Sequence, residues 1–279
     1  MAEESAIYWV DIKSHRVHRL EPETGRKDAW EMPDQIGFLA PRADGGFAAG
    51  LKDGLAFLEL PLDGGPNDSR QDARIEYFAR PDSHGPENRF NDAKVDAKGR
   101  LWAGSMHDAE SESTGKLYRV NADRKPHIAD ENYIITNGPA FSPQGKTLYH
   151  THSPHRLIYA FDLNEDGGLS NKREFIRIPD QDGYPDGMTT DAEGRLWVCH
   201  WAGFRVSAFS PEGDLERVIE LPVPNVTSCA FGGPNLDELY ITTARKGLSH
   251  EELEQYPLAG ALFRARPDVT GMAPGRFAG

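Results

Sequence analysis

Cysteine is nearly absent from this sequence of 279 residues: only Cys199 and Cys229 occur, which excludes a disulfide framework and a thiolate metal cluster. Both fall in strand-like stretches and read as buried thiols. Long apolar runs are missing as well. The opening "MAEESAIYWVDI" is acidic and then alternating, without the basic start and apolar core of a secretion signal. No later run approaches membrane-spanning length, so a cytoplasmic protein with no membrane partner is expected. Positive charge is in short supply. Lys and Arg number 31 against 44 Asp and Glu, and the resulting net charge of −13 disfavours a broad phosphate-binding surface, so no nucleic-acid partner is expected. There is no Gly-rich phosphate loop, no serine elbow and no carboxylate pair of diagnostic spacing. Amphipathic helical stretches between strands are absent too, which argues against a doubly wound α/β fold.

What the sequence has in quantity is turn formers, 28 Gly and 20 Pro, together with one recurring pattern. A short apolar or aromatic strand follows a turn containing Gly or Asp in "IYWVDI" (7–12), "GGFAAG" (45–50), "GRLWAG" (99–104), "GKTLYH" (145–150), "GRLWVC" (194–199) and "DELYIT" (237–242). The spacing of roughly 40 to 50 residues is that of propeller blades, each a four-stranded antiparallel sheet too small to bury its own faces. The expected fold is therefore all-β, a six-bladed β-propeller occupying residues 1–279 as a single domain. A β-sandwich with long loops does not account for six copies at regular spacing. One helical stretch is expected, in "GLSHEELEQYP" (247–257), with Ser249 as N-cap, Glu252 completing a capping box and Pro257 as a stop.

Three polar stretches precede repeats: "NRFNDAKVDAKGRLWAG" (88–104), "YIITNGPAFSPQGKTLYH" (133–150) and "YPDGMTTDAEGRLWVCHW" (184–201). Their tails "VDAKGR", "FSPQGK" and "TDAEGR" read as hairpin turns, with Asp96, Ser142 and Asp191 bonding nearby backbone N–H groups and the following Gly supplying a positive φ. Asn91, Asn137 and Asp186 recur at one earlier position, in loops expected to enter the innermost strands and to converge at one channel mouth. Asn137 and Asp186 bring oxygen atoms of the kind that hard divalent ions prefer, although each residue also suits an Asx turn. Arg89 and Asn91, two apart, suit a carbonyl or hydroxyl-rich ligand, and Arg89 equally suits an ion pair. His150 and His152 share a strand face, but no acidic residue at metal-ligand spacing completes a zinc site. His107 and His200 follow repeats and read as isolated histidines of the channel wall.

The stretches "RFNDAKVDAKGRLWAGSMHD" (89–108), "ITNGPAFSPQGKTLYHTHS" (135–153), "PDGMTTDAEGRLWVCHWAGFRV" (185–206) and "LPVPNVTSCAFGGPNLDELYITTAR" (221–245) resemble the regucalcin and gluconolactonase family of six-bladed propellers, especially its bacterial sugar lactonases. The resemblance runs from about residue 7 to the final "FAG". It implies one divalent cation (Ca, Mg, Mn or Zn) held by a Glu of an N-terminal motif, by Asn137 and by Asp186. It implies substrate contacts at Arg89 and Asn91, and an acidic contact at Asp108 or Glu110. The implied activity is metal-dependent hydrolysis of a sugar lactone to the aldonic acid, with Asp186 also serving as proton acceptor, in a monomer or weak homodimer.

Two departures from the family pattern are visible. Many relatives have Asp at the position of His152, and relatives place a "GEGP" motif roughly ten residues before the strand matching "IYWVDI". Here six residues precede that strand, and Glu3 and Glu4 lie too close to it to take the ligand's place. The expectation is that the segment with the carboxylate ligand and a closing strand is missing. The alternative function is then a cation- or sugar-acid-binding propeller with little turnover.

Overall fold

Turns built on Gly and Asp cut the apolar segments into short antiparallel strands. The computed structural model describes residues 5–62 and 71–279, so Glu3 and Glu4 lie outside the described residues. By its contacts the chain forms two compact units, Met1–Thr136 with Pro274–Gly279, and Asn137–Ala273. Among the described residues the strands make six sheets, and the fold is the all-β six-bladed propeller expected.

In the first unit, one sheet holds Ile7–Asp11, Arg16–Leu20 and Lys27–Glu31, with Gln71–Asp72 added in parallel. A second holds Ile36–Pro41, Phe47–Leu51, Gly54–Glu59 and Arg74–Ala79, and a third Asn88–Val95, Leu101–His107, Gly115–Val120 and Pro126–Tyr133. A fourth sheet, beginning at the boundary, holds Thr136–Phe141, Thr147–His152, Leu157–Leu163 and Leu169–Arg177. The second unit continues with a fifth sheet, Tyr184–Thr190, Leu196–Trp201, Arg205–Phe209 and Leu215–Glu220, and a sixth, Val226–Gly232, Glu238–Thr243 and Phe263–Ala265.

The recurring apolar motifs occupy the second strand of their sheets, except "IYWVDI", which is a first strand. The polar stretches before them, expected as loops, are themselves first strands. The reason they escape a strand pattern is burial on both faces: every residue of Thr136–Phe141 is buried, so polar and apolar positions do not alternate. The hairpin turns are as expected. Gly99, Gly145 and Gly194 have φ of 76°, 65° and 93°, Asp96 and Asp191 accept from backbone N–H groups, and Ser142 Oγ accepts from Thr147 N.

Each unit packs its own apolar core. In the first, Phe38, Phe57, Phe90, Tyr118 and Phe277 pack in one cluster and Trp30, Ile36, Leu51 and Leu58 in another. In the second, Trp197, Val206 and Ile241 form one cluster and Ile158, Met188 and Val198 another. Close approach is built in with glycine: a Cβ on Gly37 would collide with the Phe90 carbonyl oxygen, so glycine lets the first strands of the second and third sheets lie against each other. Cys199 and Cys229 are buried free thiols. The one α-helix among the described residues is His250–Gln255, opened by the Ser249–Glu252 capping box. Among the described residues three 3₁₀ turns, Asp82–His84, Ser153–His155 and Asp180–Asp182, carried no recognised signal in the sequence.

Candidate functional site

Asn91 and Asp186 occupy β-bulges. In the third sheet Asn91 and Asp92 together oppose the single residue Gly104, and in the fifth Asp186 and Gly187 together oppose Cys199. A bulge breaks the strict in-and-out alternation of a strand and re-aims one side chain. At Asn91 and Asp186 the repeated position seen in the sequence is thus a backbone irregularity, and these residues lie within strands.

In the first unit three expected site residues meet. Arg89 Nε donates to Asp108 Oδ1 at 2.9 Å, and Arg89 Nη1 donates to Asn91 Oδ1 at 2.6 Å and to the Phe90 carbonyl at 3.2 Å. Asn91 Nδ2 donates to the Thr136 carbonyl at 2.6 Å. Both ends of that amide are therefore engaged, and Asn91 serves to hold the Arg89 guanidinium. Between them Phe90 is buried, stacked on the His84 ring at 4.5 Å and edge-on to Phe38 at 6.2 Å. The polar pair is mounted on a packed aromatic base. Two residues the sequence reading missed complete the group: Lys13 Nζ donates to Asp108 Oδ1 at 2.7 Å, and Gln35 Nε2 to Asp108 Oδ2 at 3.0 Å. Burial raises the Asp108 pKa, but hydrogen bonds from Lys13 and Gln35 and the charges of Lys13 and Arg89 outweigh it. The carboxyl is held well below its usual range. Glu110 donates its backbone N–H to the His107 carbonyl in the turn after Asp108.

In the second unit Asn137 is buried in Thr136–Phe141 and its Nδ2 donates to Ser153 Oγ at 2.8 Å. Asp186 is half-buried in Tyr184–Thr190. Its neighbour explains the "PDG" spelling: a Cβ on Gly187 would lie 2.5 Å from Ser228 Oγ and 2.9 Å from the Thr227 carbonyl oxygen. Gly187→Ala is expected to cost about 1–3 kcal/mol by forcing the bulge away from that backbone. Urea unfolding measures it, and an unchanged midpoint would show that the neighbouring strand yields without strain.

Burial pushes His150 down to about 3, helped by the Lys172 charge, and His152 down to about 4, helped by His155, so both are neutral at neutral pH. His152 packs against the His155 ring at 3.9 Å. His107 Nδ1 contacts Ser111 Oγ at 3.1 Å, and His200 Nδ1 lies 2.8 Å from the Asp182 carbonyl. Among the described residues no group of three or more His, Cys, Asp or Glu is placed to hold a metal ion.

Residues 1–245 match the model of the SMP-30/gluconolactonase/LRE-like region. The chain belongs to this family. Similarity within the SMP-30/gluconolactonase family extends over nearly the whole chain. A 6-deoxy-6-sulfogluconolactonase of Pseudomonas putida is 36% identical over 279 residues, covering 99% of this chain and 92% of that relative. The pentonolactonase XacC of Haloferax volcanii is 35% identical over 274 residues, covering 96% and 89%. Among solved structures, a regucalcin of Agrobacterium tumefaciens, described as a calcium-binding protein, superposes with a TM-score of 0.90 at 26% identity, covering 99% of this chain and 91% of that one. Among the described residues of this family member, no helix is long and apolar enough to cross a membrane.

Proposed function

We propose that this chain hydrolyses a sugar lactone to the corresponding aldonic acid, with a divalent cation held by Asn137 and Asp186. The observation that carries the reading is similarity over nearly the whole length to two proteins named as sugar lactonases. A regucalcin described as calcium-binding supports the cation.

The donor chemistry fits such an ion. The Asn137 amide nitrogen donates to Ser153 Oγ, which fixes the amide's orientation, and the amide oxygen is the kind of donor a metal would use. With the Asp186 carboxylate this is an oxygen set, suited to Ca²⁺, Mg²⁺ or Mn²⁺ more than to Zn²⁺. When bound, the cation supplies Lewis acidity and charge neutralisation at the lactone oxygen that becomes anionic.

The chain's own residues take the remaining tasks. Asp186 accepts a proton from the water that adds to the ester carbon, and returns it to the ring oxygen as the C–O bond breaks. Arg89 donates to the sugar's hydroxyls. Asn91 keeps the guanidinium in place, and Asp108 anchors its other edge. Held by hydrogen bonds to Asn91 and Asp108, this donor loses little further conformational freedom on binding.

Chelation tests the reading. Lactone opening followed by acid release, corrected for spontaneous hydrolysis, is expected to fall about tenfold or more with EDTA and to return with added Mg²⁺, Mn²⁺ or Ca²⁺. Affinity for a sugar acid with no enzymatic acid release would instead support a binding propeller.

A further inference from the structure

We propose that the second unit carries a binding site for a small neutral hydroxyl compound with an apolar body, received by His200 and Ser207. The site is a cavity of about 280 Å³ between the fourth and fifth sheets, and neither Asn137 nor Asp186 lines it. One wall is the end of Leu169–Arg177 with the two residues that follow, and the other comes from Leu196–Trp201, Arg205–Phe209 and the turn after them. All of it therefore belongs to the second unit. Register sets the face that looks into it. His200 pairs with Arg205, Val198 with Ser207 and Leu196 with Phe209, so these side chains share one face of the fifth sheet. Leu196, Val198 and Phe209 pack in one cluster with Ile176 and Ile178 of the opposite wall. His200 and Ser207, each 1% exposed, are polar groups set among them.

The partner of His200 fixes its tautomer. Nδ1 lies 2.8 Å from the Asp182 carbonyl oxygen, which can only accept, so Nδ1 carries the proton. Burial lowers the pKa of this ring and keeps it neutral. Nε2 is then a bare lone pair, buried and with no hydrogen-bond partner among the described residues. Protein interiors rarely retain a buried acceptor in that state, and His200 lines the cavity, where an entering donor meets it. Ser207 stands two residues from Arg205, the cross-strand partner of His200, and brings an O–H of its own. A ligand hydroxyl can donate to Nε2 and accept from Ser207 together, whereas a carboxylate would set lone pair against lone pair at Nε2. The charged lining also disfavours an anion: Arg177 pairs with Glu174, Asp182 pairs with Arg205, and Asp214 adds a negative charge. Ile176, Ile178, Phe209 and Leu215 make the remaining walls apolar, matching an apolar body. A cavity of about 150 Å³ is enough for benzene, so this one admits a substituted phenol.

The test is a nuclear magnetic resonance titration of the full chain with 4-ethylphenol and with its methyl ether, 4-ethylanisole, which keeps the apolar body and loses the donor. The phenol is expected to bind about tenfold more tightly than the ether. It should also shift the Nε2 nitrogen resonance of His200, a signal identified by its loss in His200→Gln. Ser207→Leu places apolar bulk in the cavity and leaves the ring alone, and is expected to weaken the phenol about tenfold or more. The titration of the unaltered chain decides the matter even where that variant unfolds. Equal affinity for phenol and ether, a bound phenol with the Nε2 resonance unmoved, or binding that survives Ser207→Leu would overturn the proposal. Absence of saturable binding below about 10 mM, the result when water already satisfies Nε2, would overturn it as well. No lactone enters these measurements, so their failure leaves the lactonase reading standing.

Discussion

Asp186→Asn is expected to lower kcat/KM on a sugar lactone by a factor of about 10² or more, the scale of losing a positioned base together with a charge at the reacting centre. Asparagine has the shape of aspartate, so the bulge formed by Asp186 and Gly187 opposite Cys199 has no steric reason to change. What disappears is the negative charge and the ability to take a proton. Asn91→Ala should cost less, because it loosens Arg89 while the Arg89–Asp108 pair remains. Steady-state acid release on a panel of lactones gives the comparison, and calorimetric titration with Mn²⁺ reports whether the cation still binds. Near-normal rates in the Asp186 variant with its cation bound would remove Asp186 from the role of base.

A second large effect is expected on stability. Asp191 is fully buried, and its carboxylate accepts from Glu193 N at 3.0 Å, Arg195 N at 2.9 Å and Trp197 Nε1 at 2.9 Å. Asp191→Ala strips three donors of their partner at once. With each buried orphan costing about 1–3 kcal/mol, a loss of about 3 kcal/mol or more follows, equivalent to a fall in Tm of roughly 6–12 °C. The third sheet repeats the device: Asp96 accepts from Lys98 N at 2.9 Å, Arg100 N at 3.0 Å and Trp102 Nε1 at 2.8 Å. Asp96→Ala should therefore behave alike. Thermal and urea unfolding of both variants provide the check, and losses below about 1 kcal/mol would mean that water replaces the carboxylate without strain.

These two aspartates also show what a sequence reveals and what it conceals. The turn role of Asp96, Ser142 and Asp191 was legible because it is local: a short polar side chain bonds N–H groups a few residues on. The second half of the role, a carboxylate oxygen given to the indole of "GRLW", depends on how the next strand folds back. The helix at His250–Gln255 was legible for the same local reason, through its capping box. The strand Thr136–Phe141 was hidden because burial on both faces erases the period of two. The bulges at Asn91 and Asp186 are events of register between two strands, and neither strand alone records them. Lys13 and Gln35 could not be found at all by spacing, since their common partner lies 95 and 73 residues away.

The last six residues carry a consequence for how the molecule is made. Phe277 is fully buried in the first unit, donating its N–H to the Pro41 carbonyl and accepting from Ala43 N, while Ala278 N reaches the Gly99 carbonyl. Synthesis delivers the strands from Ile7 to Tyr133 before Phe277, so the apolar slot beside Phe38 and Phe57 stays open until that later residue follows. The first unit thus closes only after the strands of the second have been made. Through that interval its unfilled slot is exposed to any passing apolar segment.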